Sequence, residues 1–152
     1  MTFTVIRPII PSDADDAVAL LLRVFPHETE EAFRNVVEST HHDSATPPVS
    51  LVAMNCGQLV GFAQAIQVLQ TPRVDLINWL AVDVDFRRQG IGRRLVNRLE
   101  KTIQTDHWHH ESGTLMLISG TSPSYYTRIG YTESPIFDPT GQAVLAKIMK
   151  AM

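Results

Sequence analysis

The passage from Val74 to Ile103 constrains the fold of this sequence more than any other part of it. Val74 to Val84 is a long apolar stretch of strand character, and Arg87 to Gly92 is a short polar link with two glycines. Beyond it Ile91, Leu95, Val96, Leu99 and Ile103 fall within an arc of about 140° at 100° per residue, with Arg93, Arg94, Asn97, Glu100 and Lys101 outside it. A buried strand therefore turns straight into a helix that packs by one side. A helix start carries unpaired N–H groups and the positive end of the helix dipole, and glycines let a backbone approach a diphosphate without Cβ clashes. Arg87 and Arg88 can add charge-assisted hydrogen bonds. The expectation is a site for a diphosphate-bearing ligand.

Charge sharpens this reading. The sequence has 13 Lys and Arg against 16 Asp and Glu, net −3, yet residues 87–101 alone carry +5, which leaves −8 elsewhere. A compact basic cluster in an acidic chain suits a small anionic ligand better than a nucleic-acid track. A single cysteine, Cys56, removes the disulfide-scaffold class and fits a reducing interior. No apolar run of membrane-spanning length and no secretory leader is evident, so a cytoplasmic location is expected, with no membrane and no nucleic acid among its partners.

The remaining segments alternate. Phe3 to Ile10 reads as a strand, followed by a helix from Ser12 that Pro26 stops near Phe25, and by a second helix opened by Thr29, Glu30 and Glu31. After a loop at 41–48, Val49 to Met54 and Leu59 to Val68 flank Asn55-Cys56-Gly57-Gln58 as a hairpin. Thr114 to Ile118 reads as a strand, Ser122 to Ile129 as a short helix closed by Gly130, and Tyr131 to Phe137 and Ala143 to Met149 as two last strands. The predicted order is β-α-α-β-β-β-α-β-α-β-β. The predicted fold class is α/β (α+β), a single domain over 1–152 with a mixed central sheet of about seven strands flanked by helices.

Three phosphate-binding patterns compete at 87–92. The P-loop fails for want of Gly-Lys-Ser or Gly-Lys-Thr, and the dinucleotide fingerprint fails because Leu95 stands where a small residue is needed. The pattern [Arg/Gln]-x-x-Gly-x-[Gly/Ala] fits as Arg87-Arg88-Gln89-Gly90-Ile91-Gly92. Here the sequence resembles the GCN5-related N-acetyltransferase (GNAT) superfamily. Trp79-Leu80-Ala81-Val82-Asp83 is similar to that family's cofactor strand, and Tyr125-Tyr126-Thr127-Arg128-Ile129-Gly130-Tyr131 to its second motif.

The resemblance implies an acetyl-CoA-dependent N-acetyltransferase that transfers acetyl directly to a primary amine. It implies cofactor contacts at Leu80, Ala81, Val82, Val84, Arg87, Arg88, Gln89, Gly90, Ile91, Gly92, Arg93 and Ser119, the last standing where many members have Asn. It implies Tyr126 as the acid that protonates the departing thiolate, since a phenol of pKa about 10 stays protonated at neutral pH. Tyr125 and Tyr131 are expected to pack their rings on the sheet. The expected partners are acetyl-CoA and an amine acceptor, the chain being a monomer or homodimer, and no metal is expected.

The general base stays open among Asp75, Glu28, His27, a water held by Asn78, and ordered solvent. Asp75 reads otherwise as an exposed strand-end carboxylate. The missing base keeps a rival in view, a non-catalytic acyl-CoA-sensing module on the same fold. The cluster Asp106-His107-Trp108-His109-His110-Glu111 has spacings unlike a zinc motif and reads as a solvated loop, as does His41-His42-Asp43.

Overall fold

The computed structural model describes residues 3–39, 46–68, 71–119 and 123–152, without the side chains of 119 and 135–137. In chain order the elements are β1 (Thr4–Pro8), α1 (Ala14–Val24), α2 (Glu30–Glu38), β2 (Val49–Asn55), β3 (Gln58–Gln67), β4 (Val74–Val82), α3 (Ile91–Asp106), β5 (Gly113–Ser119), α4 (Pro123–Arg128), β6 (Thr132–Phe137) and β7 (Ala143–Met149). This is the predicted order. The start of the short helix predicted from Ser122 and the histidines at 41–42 lie outside the described residues.

The seven strands form one sheet in the order β1-β2-β3-β4-β5-β7-β6. Every neighbouring pair is antiparallel except β4 and β5, which are parallel and joined through α3. One face is covered by α1 and α2, where Leu20, Leu21, Phe33 and Val37 pack on Val52, Phe62 and Ala81. The other is covered by α3, whose apolar residues Ile91, Leu95, Val96, Leu99 and Ile103 are all buried against the sheet. Gly61 in β3 makes this approach close, since a Cβ there would stand 2.9 Å from Leu95 Cδ1. Local signals act as read: Thr29 caps α2 by accepting from the Ala32 N–H at 3.1 Å, and Cys56-Gly57 takes positive φ at both positions of a two-residue hairpin turn.

Three polar residues behave differently from the sequence reading. Asp75 is fully buried. One carboxylate oxygen accepts from Trp108 Nε1 at 2.8 Å and the other faces His107 Nδ1 at 2.5 Å. His107 and Trp108 thus belong to the interior, and of that cluster His109, His110 and Glu111 are exposed. Glu100, outside the apolar arc of its helix, is nevertheless buried. It accepts from the Tyr131 hydroxyl at 3.1 Å and from Lys147 Nζ at 3.0 Å. In each case a charged group is buried because partners distant in sequence satisfy it.

The His107 ring has an acceptor at each nitrogen, the Asp75 carboxylate and the Pro47 carbonyl at 2.9 Å from Nε2. Only the imidazolium donates to both. Burial pulls its pKa down, but Asp75, the Pro47 carbonyl and Asp106 together hold it above the ordinary histidine value. Because the folded-state pKa lies above the unfolded one, this contribution is complete below the unfolded pKa and is lost as pH rises through the folded value. Stability measured by urea denaturation is therefore expected to fall as pH rises from the ordinary histidine value through the raised one, and His107→Gln to remove that step. Asp75→Ala, which leaves the partners buried and unpaired, is expected to cost about 3–5 kcal/mol.

Candidate functional site

The site begins where two strands part. β3 pairs with β4 as far as Gly61↔Val82, and β5 pairs with β7 as far as Ser119↔Ala143. The parallel pairing of β4 with β5 stops at Ile77↔Leu117. Residues 78–82 therefore present backbone groups that β5 does not take up. The cause is a β-bulge. The register passes from Ala65↔Ile77 to Gln64↔Trp79, which leaves Asn78 as the extra residue, and a bulge bends its strand and increases its twist. It also changes which face each residue occupies. Ile77, Leu80 and Val82 lie toward α3, whereas Trp79 and Ala81 lie toward α1 and α2.

The open edge leads to the start of α3. Val84, Asp85 and Phe86 form a short 3-10 turn with Val84 exposed, and Arg87, Arg88, Gln89 and Gly90 are all exposed beyond it. Arg88 and Gly90 take positive φ of 64° and 77°. Gly90 is the N-cap of α3, its carbonyl accepting from the Arg94 N–H at 3.0 Å. The N–H groups of Ile91, Gly92 and Arg93 precede the first such bond and have no acceptor within the helix. A Cβ on Gly90 would meet nothing within 4 Å, so the space in front of this turn is clear. Clear space, free N–H groups, a helix dipole and two flanking arginines make an arrangement able to receive a diphosphate. Arg87 also donates from Nε to the Val82 carbonyl at 3.2 Å, tying the turn to the end of the strand.

Helix α4 brings both tyrosines to this corner. The Tyr125 hydroxyl lies 3.2 Å from where a Cβ of Gly92 would stand, within the influence of the Arg93 charge, so Tyr125 points at the first turn of α3 as well as packing. Tyr126 packs its ring against Tyr125 and Tyr131, with centroids 5.1 and 6.1 Å away. Burial, with Tyr125 beside it, pushes its hydroxyl pKa up to about 12. The Tyr126 carbonyl accepts from the Tyr131 N–H at 3.0 Å, and Tyr131 is itself held by Glu100, so the motif's second half anchors its first.

On the α1–α2 face, Trp79 makes edge contacts with Phe25 at 5.3 Å and Phe33 at 5.1 Å, an aromatic wall beside the parting strands. His27 and Glu28 are exposed in the α1–α2 connection. Asp75 lies five residues back along β4 from Leu80, about 16 Å at strand spacing, with both oxygens occupied. No local signal marks this burial, because its partners are more than thirty residues away. A cavity of about 320 Å³ lies at the far end of α3, bordered by Pro47, Thr102 and His107, and takes no part in the cleft. Among the described residues no three His, Cys, Asp or Glu side chains gather as metal ligands, and no helix is long and apolar enough to cross a membrane.

Seven strands in this order, with the one parallel pair separating beside the start of α3, define a GNAT-fold protein. The chain belongs to the family of the acetyltransferase (GNAT) domain, whose model matches residues 48–133. Solved structures agree on the fold. The aminoglycoside 6'-acetyltransferase type Ii superposes with a TM-score of 0.77 at 24% identity, over 94% of this chain and 96% of that one. The PaiA N-acetyltransferase of Thermoplasma acidophilum, solved with coenzyme A, gives 0.73 at 14% over 97% and 99%. The ribosomal-protein-S18-alanine N-acetyltransferase of Escherichia coli gives 0.73 at 19% over 99% and 96%. No curated protein sequence matches.

Proposed function

We propose that this GNAT protein is an acetyl-CoA-dependent N-acetyltransferase that passes acetyl directly to a primary amine of a small molecule or protein. One observation carries the reading: the edge of β4 left open beyond Ile77 runs to the clear, donor-rich turn at Gly90. A neighbour of the same fold solved with coenzyme A supports the cofactor. Two others are named for an aminoglycoside and for a ribosomal-protein alanine, which supports an amine acceptor without choosing one.

Each assignment follows the chemistry on offer. Leu80, Ala81 and Val82 line the strand edge that faces the amide-bearing arm of the cofactor, with the Val82 carbonyl already held by Arg87. The turn from Val84 through Arg87, Arg88, Gln89, Gly90, Ile91 and Gly92 to Arg93 holds its diphosphate. Ser119, at the end of β5, borders the other side of the opening through its backbone. The bound thioester supplies an acyl carbon to which the amine nitrogen bonds as the carbon–sulfur bond breaks, the electron pair going to sulfur. Tyr126 supplies the proton that sulfur takes and regains one from solvent, while the proton of the nitrogen leaves to water.

The deciding experiment follows thiol release from acetyl-CoA with spermidine, kanamycin and a peptide bearing a free α-amine. Amine-dependent release at rates of ordinary enzymes, about 1–10³ per second, is expected for a matched acceptor. Tight coenzyme A binding with no release on a broad amine panel would instead favour an acyl-CoA-sensing module.

A further inference from the structure

Around the β4 bulge one buried side-chain acceptor is left without a partner. Gln64, buried in β3, donates from Nε2 to the Val36 carbonyl at 2.8 Å, with the Ser50 hydroxyl at 2.9 Å and the Ser39 hydroxyl at 3.3 Å. A carbonyl only accepts, so this amide cannot be turned over, and its Oε1 must face the other way. There it accepts from Asn78 Nδ2 at 2.9 Å. The orientation of the Asn78 amide is fixed in turn, and what it has left is Oδ1, an acceptor. Among the described residues this is the buried side-chain polar atom without a hydrogen-bond partner. Buried polar atoms are nearly always paired, and an unpaired one in a folded protein calls for a reason.

Its position supplies one. Asn78 is the bulge residue, one step beyond the last pair that holds β4 to β5, on the face that carries Trp79 and Phe25. The residue as a whole is partly exposed, so Oδ1 lies only a few bonds from surface that solvent reaches. The nearest carboxylate on β4, Asp75, has both oxygens engaged elsewhere. We infer that Asn78 Oδ1 accepts an N–H of the amine being acetylated and makes Asn78 the acceptor-orienting residue, an inference that rests on the acetyl-transfer reading above. An oxygen that takes one N–H fixes the amine while leaving its lone pair to attack, and the bond strengthens as the nitrogen gains positive charge. The class of ligand follows: a primary amine or ammonium group presented beside aromatic rings, since a carboxylate offers this atom nothing.

Two variants separate this role from a structural one, assayed with the full chain, acetyl-CoA and whichever of spermidine, kanamycin or the free-amine peptide the wild type acetylates. Asn78→Ala removes the oxygen, and the KM for the amine is expected to rise about 10-fold or more while the KM for acetyl-CoA stays within twofold. Asn78→Asp keeps an oxygen for the amine but sets another against Gln64 Oε1. It is expected to melt at a lower temperature and to keep the amine KM within about threefold. An unchanged amine KM in Asn78→Ala overturns the inference. So does a parallel rise in both KM values with a lower melting temperature, the mark of a residue that only supports the fold. Absence of wild-type turnover with every amine overturns the acetyl-transfer reading itself, and this inference with it.

Discussion

Gly90→Asp is expected to weaken coenzyme A binding by at least about 100-fold, read by calorimetry. Two unit charges about 4 Å apart interact by about 4 kcal/mol at an effective dielectric of 20, about a thousandfold in affinity, and screening at an exposed turn takes back part of it. Steric damage does not explain such a loss, because the space around a Cβ at Gly90 is clear. The φ of 77° does impose a backbone cost on any other residue, of order 1–2 kcal/mol. Gly90→Asn separates the two effects, since Asn tolerates the left-handed conformation and adds no charge. It is expected to retain affinity within about tenfold. Equal losses in both variants would locate the diphosphate elsewhere.

Tyr126→Phe is expected to lower kcat by about 10²–10⁴, the range for losing a general acid, with the KM for acetyl-CoA changed little. The ring contacts with Tyr125 and Tyr131 survive the change, so a melting temperature close to wild type is expected alongside it. The pH profile gives a second reading. Burial raises the hydroxyl pKa to about 12, which means that the phenol keeps its proton to higher pH than free tyrosine does. No alkaline fall in kcat from this group is expected below about pH 10. Tyr125→Phe is the control, because that hydroxyl also reaches the first turn of α3. Full activity in Tyr126→Phe together with a loss in Tyr125→Phe would move the acid role one residue along α4.

Much of the architecture is legible in local sequence because the signals are local. The helical arc of Ile91, Leu95, Val96, Leu99 and Ile103, the Thr29 cap and the Cys56-Gly57 turn each act within a few residues, and the structure has all three. The turn proposed to hold the diphosphate is legible for the same reason, since glycine, positive φ and a helix start are properties of one short segment. Asp75, Glu100 and Gln64 are not. Each is a polar residue whose place depends on partners brought up from other strands and helices, and a sequence window sees only its charge. Asp75 read as an exposed strand end and is fully buried, and Glu100, outside the apolar arc of its helix, is buried and anchors Tyr131.

By itself the sequence determined the order of elements, the one-sided packing of α3 and the segment suited to a diphosphate, because periodicity, capping and glycine conformation are short-range physics. Only the tertiary structure decided where β4 leaves β5, which face each residue of β4 occupies after the bulge at Asn78, and which atom there is left without a partner. Strand register and hydrogen-bond satisfaction are properties of paired chains. They exist only once residues far apart in sequence have been brought together.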